Sequence, residues 1–182
     1  MGIGVVALTQ GQTLRSSPTH TRLVIRSNQF ASVQQLLDEQ SVRGYVVSGI
    51  SYHSSIKNLH TNGRLHVDLE IPETPGTRQY RVLTTELEAA VLQKALNDEG
   101  GNGFRLLAQT PIPLELGFIR PRDMFLAVME RTAAPPVSRE YRVIAYRHQS
   151  WVRQQIRQAT TDGFVEACRQ QFGPVIYLVM EK

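Results

Sequence analysis

The chain has 182 residues, 41% apolar and 20% charged, with 20 Lys and Arg against 16 Asp and Glu. That composition is globular rather than disordered, and a net +4 is too mild to announce nucleic acid. The single cysteine, Cys168, excludes an internal disulfide and any site built from several cysteines, and no run approaches the roughly 18 apolar residues of a spanning helix.

Residues 1–20 read as a leader or N-terminal arm. A secretory signal needs a basic start and an apolar core of about 7 to 15 residues, and the apolar stretch from Ile3 to Leu8 is shorter. The remnant of an export signal is the alternative, so the location is expected to be cytoplasmic or exported.

An internal repeat organises the rest. Residues 21–25 read TRLVI, 80–84 read YRVLT and 141–145 read YRVIA. Further on, Gly44-Tyr45, Gly103-Phe104 and Gly163-Phe164 recur, and Val128-Met129-Glu130-Arg131 matches Val179-Met180-Glu181-Lys182. Three copies are expected over 21–70, 80–131 and 141–182, joined by proline-bearing connectors that resist helix and central strand.

Each copy opens with a β-branched or apolar run suited to a buried strand. Seven and eleven residues before the repeat glycine stand Leu37 and Val33, Leu96 and Leu92, Ile156 and Val152. An apolar i, i+4 pair in all three copies predicts a helix facing a core, with Thr85 and Glu88 spaced as a capping box for the second. The glycine ends the helix at positive φ, and two further strands follow. The expected fold is therefore α+β: three tandem βαββ repeats packed into one compact three-lobed body, since units of ~50 residues depend on neighbours for their cores.

Function is sought where the copies differ. The first and second copies insert about ten residues between their last two strands, by comparison with the tight Gln171-Phe172-Gly173-Pro174 joint of the third. The first insertion carries His53 and His60, with His66 just beyond. Their spacing matches no compact metal motif, so solvated loop histidines are expected, with no metal and no cofactor. The second insertion, 110–122, is rich in apolar residues and includes Phe118, Ile119, Arg120 and Arg122. It either folds back over a sheet or offers an apolar patch with a basic rim to a partner. The third helix places Arg153 and Arg157 at i, i+4, with Arg147 upstream: a basic ridge that is either a solvated face or a contact for anions.

Catalytic signatures do not appear: there is no Gly-x-Ser-x-Gly elbow, phosphate loop, His-Glu-x-x-His or dinucleotide fingerprint. Cys168 reads as a buried structural thiol.

The pattern Tyr80-Arg81-Val82 with Gly103-Phe104, and Tyr141-Arg142-Val143 with Gly163-Phe164, resembles the small bacterial domain-of-unknown-function family four-one-seven-seven, which has strand-helix-strand-strand units. Thr21 and Tyr45 depart from it in the first copy, and Tyr or Phe stands where that family has tryptophan. The resemblance implies a fold and no activity. The expected function is a non-enzymatic interaction or ligand-binding module contacting a protein or small molecule through the hairpin insertions. The alternatives are an enzyme or sensor with a site in a cleft between repeats, and a binder of nucleic acid or another anionic polymer through the third helix. Nucleic acid is disfavoured, no membrane span is expected, and a monomer fits.

Overall fold

The computed structural model describes residues 19–57, 60–73, 76–116, 122–132 and 134–182. They form a mixed α+β structure with three α-helices and ten strands in three sheets. The leader, including any export-signal remnant, falls almost wholly outside the described residues.

The first sheet contains β1 (His20–Arg26), β2 (Val46–Lys57) and β3 (His60–Glu70), in the order β1-β3-β2 and antiparallel throughout. A 3-10 turn (Ser27–Ser32) and α1 (Val33–Val42) link β1 to β2. The second sheet holds β4 (Arg78–Glu86), β5 (Arg105–Leu106), β6 (Ile112–Leu116) and β7 (Arg122–Thr132), with α2 (Ala89–Gly100) after β4. Here β7 pairs β4 on one side and both β5 and β6 on the other. The third comprises β8 (Tyr141–Tyr146), β9 (Val165–Phe172) and β10 (Val175–Glu181), in the order β8-β10-β9, with α3 (Gln149–Thr161) after β8. In each sheet the last strand lies in the middle, so the first two strands are not neighbours, and no parallel pair forms among the described residues.

Central strands with apolar residues on both faces explain how the sheets share cores. In β7, Leu126 and Val128 join Ile25, Val33, Leu37, Leu65, Val67 and Leu69 in a first core, while Phe125, Ala127 and Met129 turn to a second. The period of two puts alternate residues on opposite faces, and a strand covered on both faces reads as a continuous apolar run. In β10, Tyr177 and Val179 enter the second core, and Leu178 and Met180 enter a third with Val152, Ala159 and Phe164. Each fully buried aliphatic side chain contributes about 1.5–3 kcal/mol. The second sheet is therefore held from both sides.

The helix ends follow the glycines: Gly44, Gly103 and Gly163 have φ of 86°, 84° and 91°. The aromatic after the glycine meets cations. Arg131 and Arg81 lie 4.7 and 5.5 Å from the Phe104 ring centre, and Arg142 and Lys182 lie 4.4 and 5.8 Å from that of Phe164.

Three local expectations change. Thr85 and Glu88 form no capping box: β4 runs through Glu86, the Thr85 hydroxyl donates to the Glu86 carbonyl at 3.2 Å, and Glu88 itself stands at the N-cap in extended conformation. The first insertion is not an irregular loop, because β2 and β3 continue as a ladder out to Lys57 and His60, pairing backbone groups that a loop would leave to water. The expected strand over 104–107 shrinks to Arg105–Leu106, and pairing resumes only at Ile112. Fully buried Thr110 fills the gap: its hydroxyl accepts the Val128 N–H at 3.2 Å and donates to the Leu107 carbonyl at 2.9 Å.

Candidate interaction surface

Two joints of the same chemistry connect the sheets. At the first, the side-chain amide of Gln34 on α1 donates to the Tyr80 carbonyl at 2.9 Å and accepts the Val82 N–H at 2.8 Å. The Ser41 hydroxyl donates to the Arg78 carbonyl, and the Tyr80 hydroxyl accepts the Val47 N–H at 2.9 Å. At the second, Gln93 on α2 accepts the Val143 N–H at 2.9 Å, while Asn97 accepts the Tyr141 N–H at 2.6 Å and donates to its carbonyl at 3.0 Å. The Tyr141 hydroxyl accepts the Leu106 N–H at 2.9 Å. β4 and β8 are edge strands, whose outward N–H and C=O groups need partners when buried. The helix amides supply them.

Buried charge reinforces the second joint. Glu181 receives Arg105 and Arg139, each at 3.1 Å, and the Tyr141 hydroxyl donates to it at 3.3 Å. Burial first, and Glu181 second, push the Tyr141 phenol well above its ordinary value; burial likewise raises Tyr80. Gly100 lets the chains approach: a Cβ there would stand 2.6 Å from the Arg139 carbonyl oxygen and 2.9 Å from the Tyr141 ring.

On α3 the corresponding positions, ten and six before the glycine, hold Arg153 and Arg157 in place of Gln34 and Asp38 or Gln93 and Asn97. Both arginines are exposed, as is Thr160. Val165 is 64% exposed where its counterpart Val46 is 5% exposed. The nearby carboxylates are otherwise engaged. Gln158 and Arg142 hold Asp162 below the usual carboxylate range, and Glu166 pairs with Arg169 at 2.7 Å.

Of the other expected contact residues, His53 alone has its side chain among the described residues. His53 is exposed in β2, its ring 4.9 Å from that of His66 in β3. His60 and Arg122 fall in β3 and β7, but their side chains, like the whole of Phe118, Ile119 and Arg120, lie outside the described residues. The start of that second insertion is internal: Ile112 and Leu114 are buried in the first core. Among the described residues no cluster of three His, Cys, Asp or Glu side chains could hold a metal, and no helix is long and apolar enough to cross a membrane. Cys168 is buried, and that burial, with Glu166 nearby, pushes its thiol up to about 12.

Two grooves accompany these features. One of about 420 Å³ lies among Ile50, Ser51, Tyr52, Gln109, Pro113 and Gln170, and offers amides and hydroxyls but no acid or base. Another, of about 520 Å³, runs between β8 and the side of α3 bearing Trp151, Gln154 and Gln158. Sequence reasoning missed Tyr80, Tyr141, Gln34, Gln93 and Asn97. Counting ten residues back from Gly44, Gly103 and Gly163 would have shown glutamine twice and arginine once.

No protein-family model matches the chain, and neither a curated protein nor a solved structure matches it significantly.

Proposed function

We propose that the chain is a non-enzymatic interaction module made of three tandem βαββ copies, residues 21–70, 80–131 and 141–182, packed into one compact three-lobed body. The shared strand order of the three sheets and the two joints of matching chemistry support the repeat. Kinship with the domain-of-unknown-function family four-one-seven-seven is part of the same reading.

One observation carries the function. The flank that holds a strand on α1 and on α2 is exposed on α3, and it bears two arginines without carboxylate partners among the described residues. A surface that is specified by position and left open is a contact surface. It outranks the hairpin insertions because the described part of the second one is packed inside, and the first is a β ribbon whose exposed His53 lines neither of the two grooves.

The test is a binding survey on the full chain. Fluorescent peptide sets of acidic, basic and neutral composition are titrated beside a thermal-shift panel of metabolites and metals. The module reading expects saturable binding by one peptide class. A thermal shift from a metabolite with no peptide binding would favour the cleft reading instead, with the groove by Gln109 and Gln170 as its site.

A further inference from the structure

We propose that the flank of α3 carrying Arg153, Arg157 and Thr160, with the adjoining start of β9, docks an extended acidic segment of a protein partner. This rests on the interaction-module reading and names the partner's chemistry.

The two internal joints show how the flank works. Gln93 meets Val143 while Asn97, one turn further along α2, meets Tyr141. Gln34 meets Tyr80 and Val82, and Ser41 meets Arg78. In both cases the strand runs antiparallel to the helix, and at the second joint four residues of helix match two of strand. The spacing explains this: four helical residues rise about 6 Å, and two strand residues advance about 6.6–6.8 Å.

Arginine changes what the flank accepts. A side-chain amide both donates and accepts, so it can read a strand's N–H and C=O; a guanidinium only donates. A neutral strand seated on α3 would bury N–H groups without partners, each costing about 1–3 kcal/mol. That disfavours a further strand of the β4 or β8 kind, including one from a second copy. Guanidinium forks instead match carboxylates, often two bonds at a time. Two arginines at i, i+4 therefore match acidic side chains at alternate positions of an extended chain, and bare Val165 offers an apolar contact beside them. Asp162 and Glu166 are already paired and do not neutralise the ridge.

A polyanion is a weaker fit. Nucleic-acid grooves add aromatic stacking platforms, whereas Trp151 lies on the opposite side of α3, beside Gln154 and Gln158.

The experiment is fluorescence anisotropy with the full chain and a peptide alternating glutamate with valine and threonine. Controls are a helix-forming peptide of equal charge and a single-stranded oligonucleotide. Binding of the alternating peptide should weaken as salt rises. It should fall about tenfold or more in Arg153→Gln/Arg157→Gln, whose thermal melting should match the parent because both side chains are exposed. Arg64→Gln, at an exposed position of β3, should bind as the parent does.

Four results would overturn the proposal: unchanged affinity in the double variant, equal binding of the helical peptide, tighter binding of the oligonucleotide, or self-association abolished by Arg153→Gln. If peptides bind independently of both arginines, the interaction module stands and this surface falls. If no peptide class binds, both fall.

Discussion

The Tyr141 hydroxyl accepts the Leu106 N–H at 2.9 Å while donating to Glu181 at 3.3 Å, so one phenol ties the third sheet to the strand after α2. Tyr80 occupies the same place one joint earlier, on Val47. Tyr141→Phe keeps the ring and removes both bonds. Leu106 is buried and Val47 half-buried, so Tyr141→Phe should lower unfolding free energy by about 1–3 kcal/mol and Tyr80→Phe by less. Urea unfolding of the two variants checks the order.

The role of Gln93 is acceptance of the Val143 N–H. Gln93→Glu retains that acceptor and should be tolerated, whereas Gln93→Arg, which imitates α3, should destabilise by about 1–2 kcal/mol because the strand N–H loses its partner. Equal stability of the two variants would deny the amide its part in the joint.

Alanine normally favours helix over glycine by about 1 kcal/mol. At Gly100 that gain should be reversed, since the new methyl would meet the Arg139 carbonyl and the Tyr141 ring inside 3 Å. At neighbouring Gly101, where the nearest atom is 3.4 Å away and φ is −59°, alanine should be neutral or mildly stabilising. Melting temperatures of the pair separate contact from propensity.

These joints also mark how far the sequence could be read. The glycine-aromatic pairs, the apolar helix pairs at Val33/Leu37 and Leu92/Leu96, and the burial of Cys168 were legible because each depends on a local pattern. The central place of β3, β7 and β10 was not, since alternation says which face is buried and nothing about which strand is next door. Thr85 and Glu88 misled because their spacing fits a cap wherever the helix starts, and only the length of β4 rules it out. Arg153 and Arg157 were visible as a basic ridge. The equivalence of Arg153 to Gln34 and Gln93, and of Arg157 to Asn97, acquires meaning only once those amides are seen gripping a strand.

Cys168 and the two joint tyrosines are all raised by burial. A raised acid is protonated in the fold and ionised more readily when unfolded, so its contribution is complete below the ordinary value and is lost as pH climbs. Stability should therefore decline from about pH 9 toward 12. Cys168→Ala should flatten the early part of that decline, with the tyrosines supplying the later part. A thiol reagent at pH 8 should label the native chain far more slowly than the chain in urea; rapid native labelling would contradict the burial.

The most direct measurement is a nitrogen-15 chemical-shift titration of the full chain with the alternating glutamate peptide. The largest shifts are predicted at Arg153, Arg157, Thr160, Val165 and Glu166, on the flank that α1 and α2 each use to hold a strand. Shifts centred on the β2–β3 ribbon around His53 and His66, or on the groove beside Trp151, with the arginine flank silent, would contradict the account.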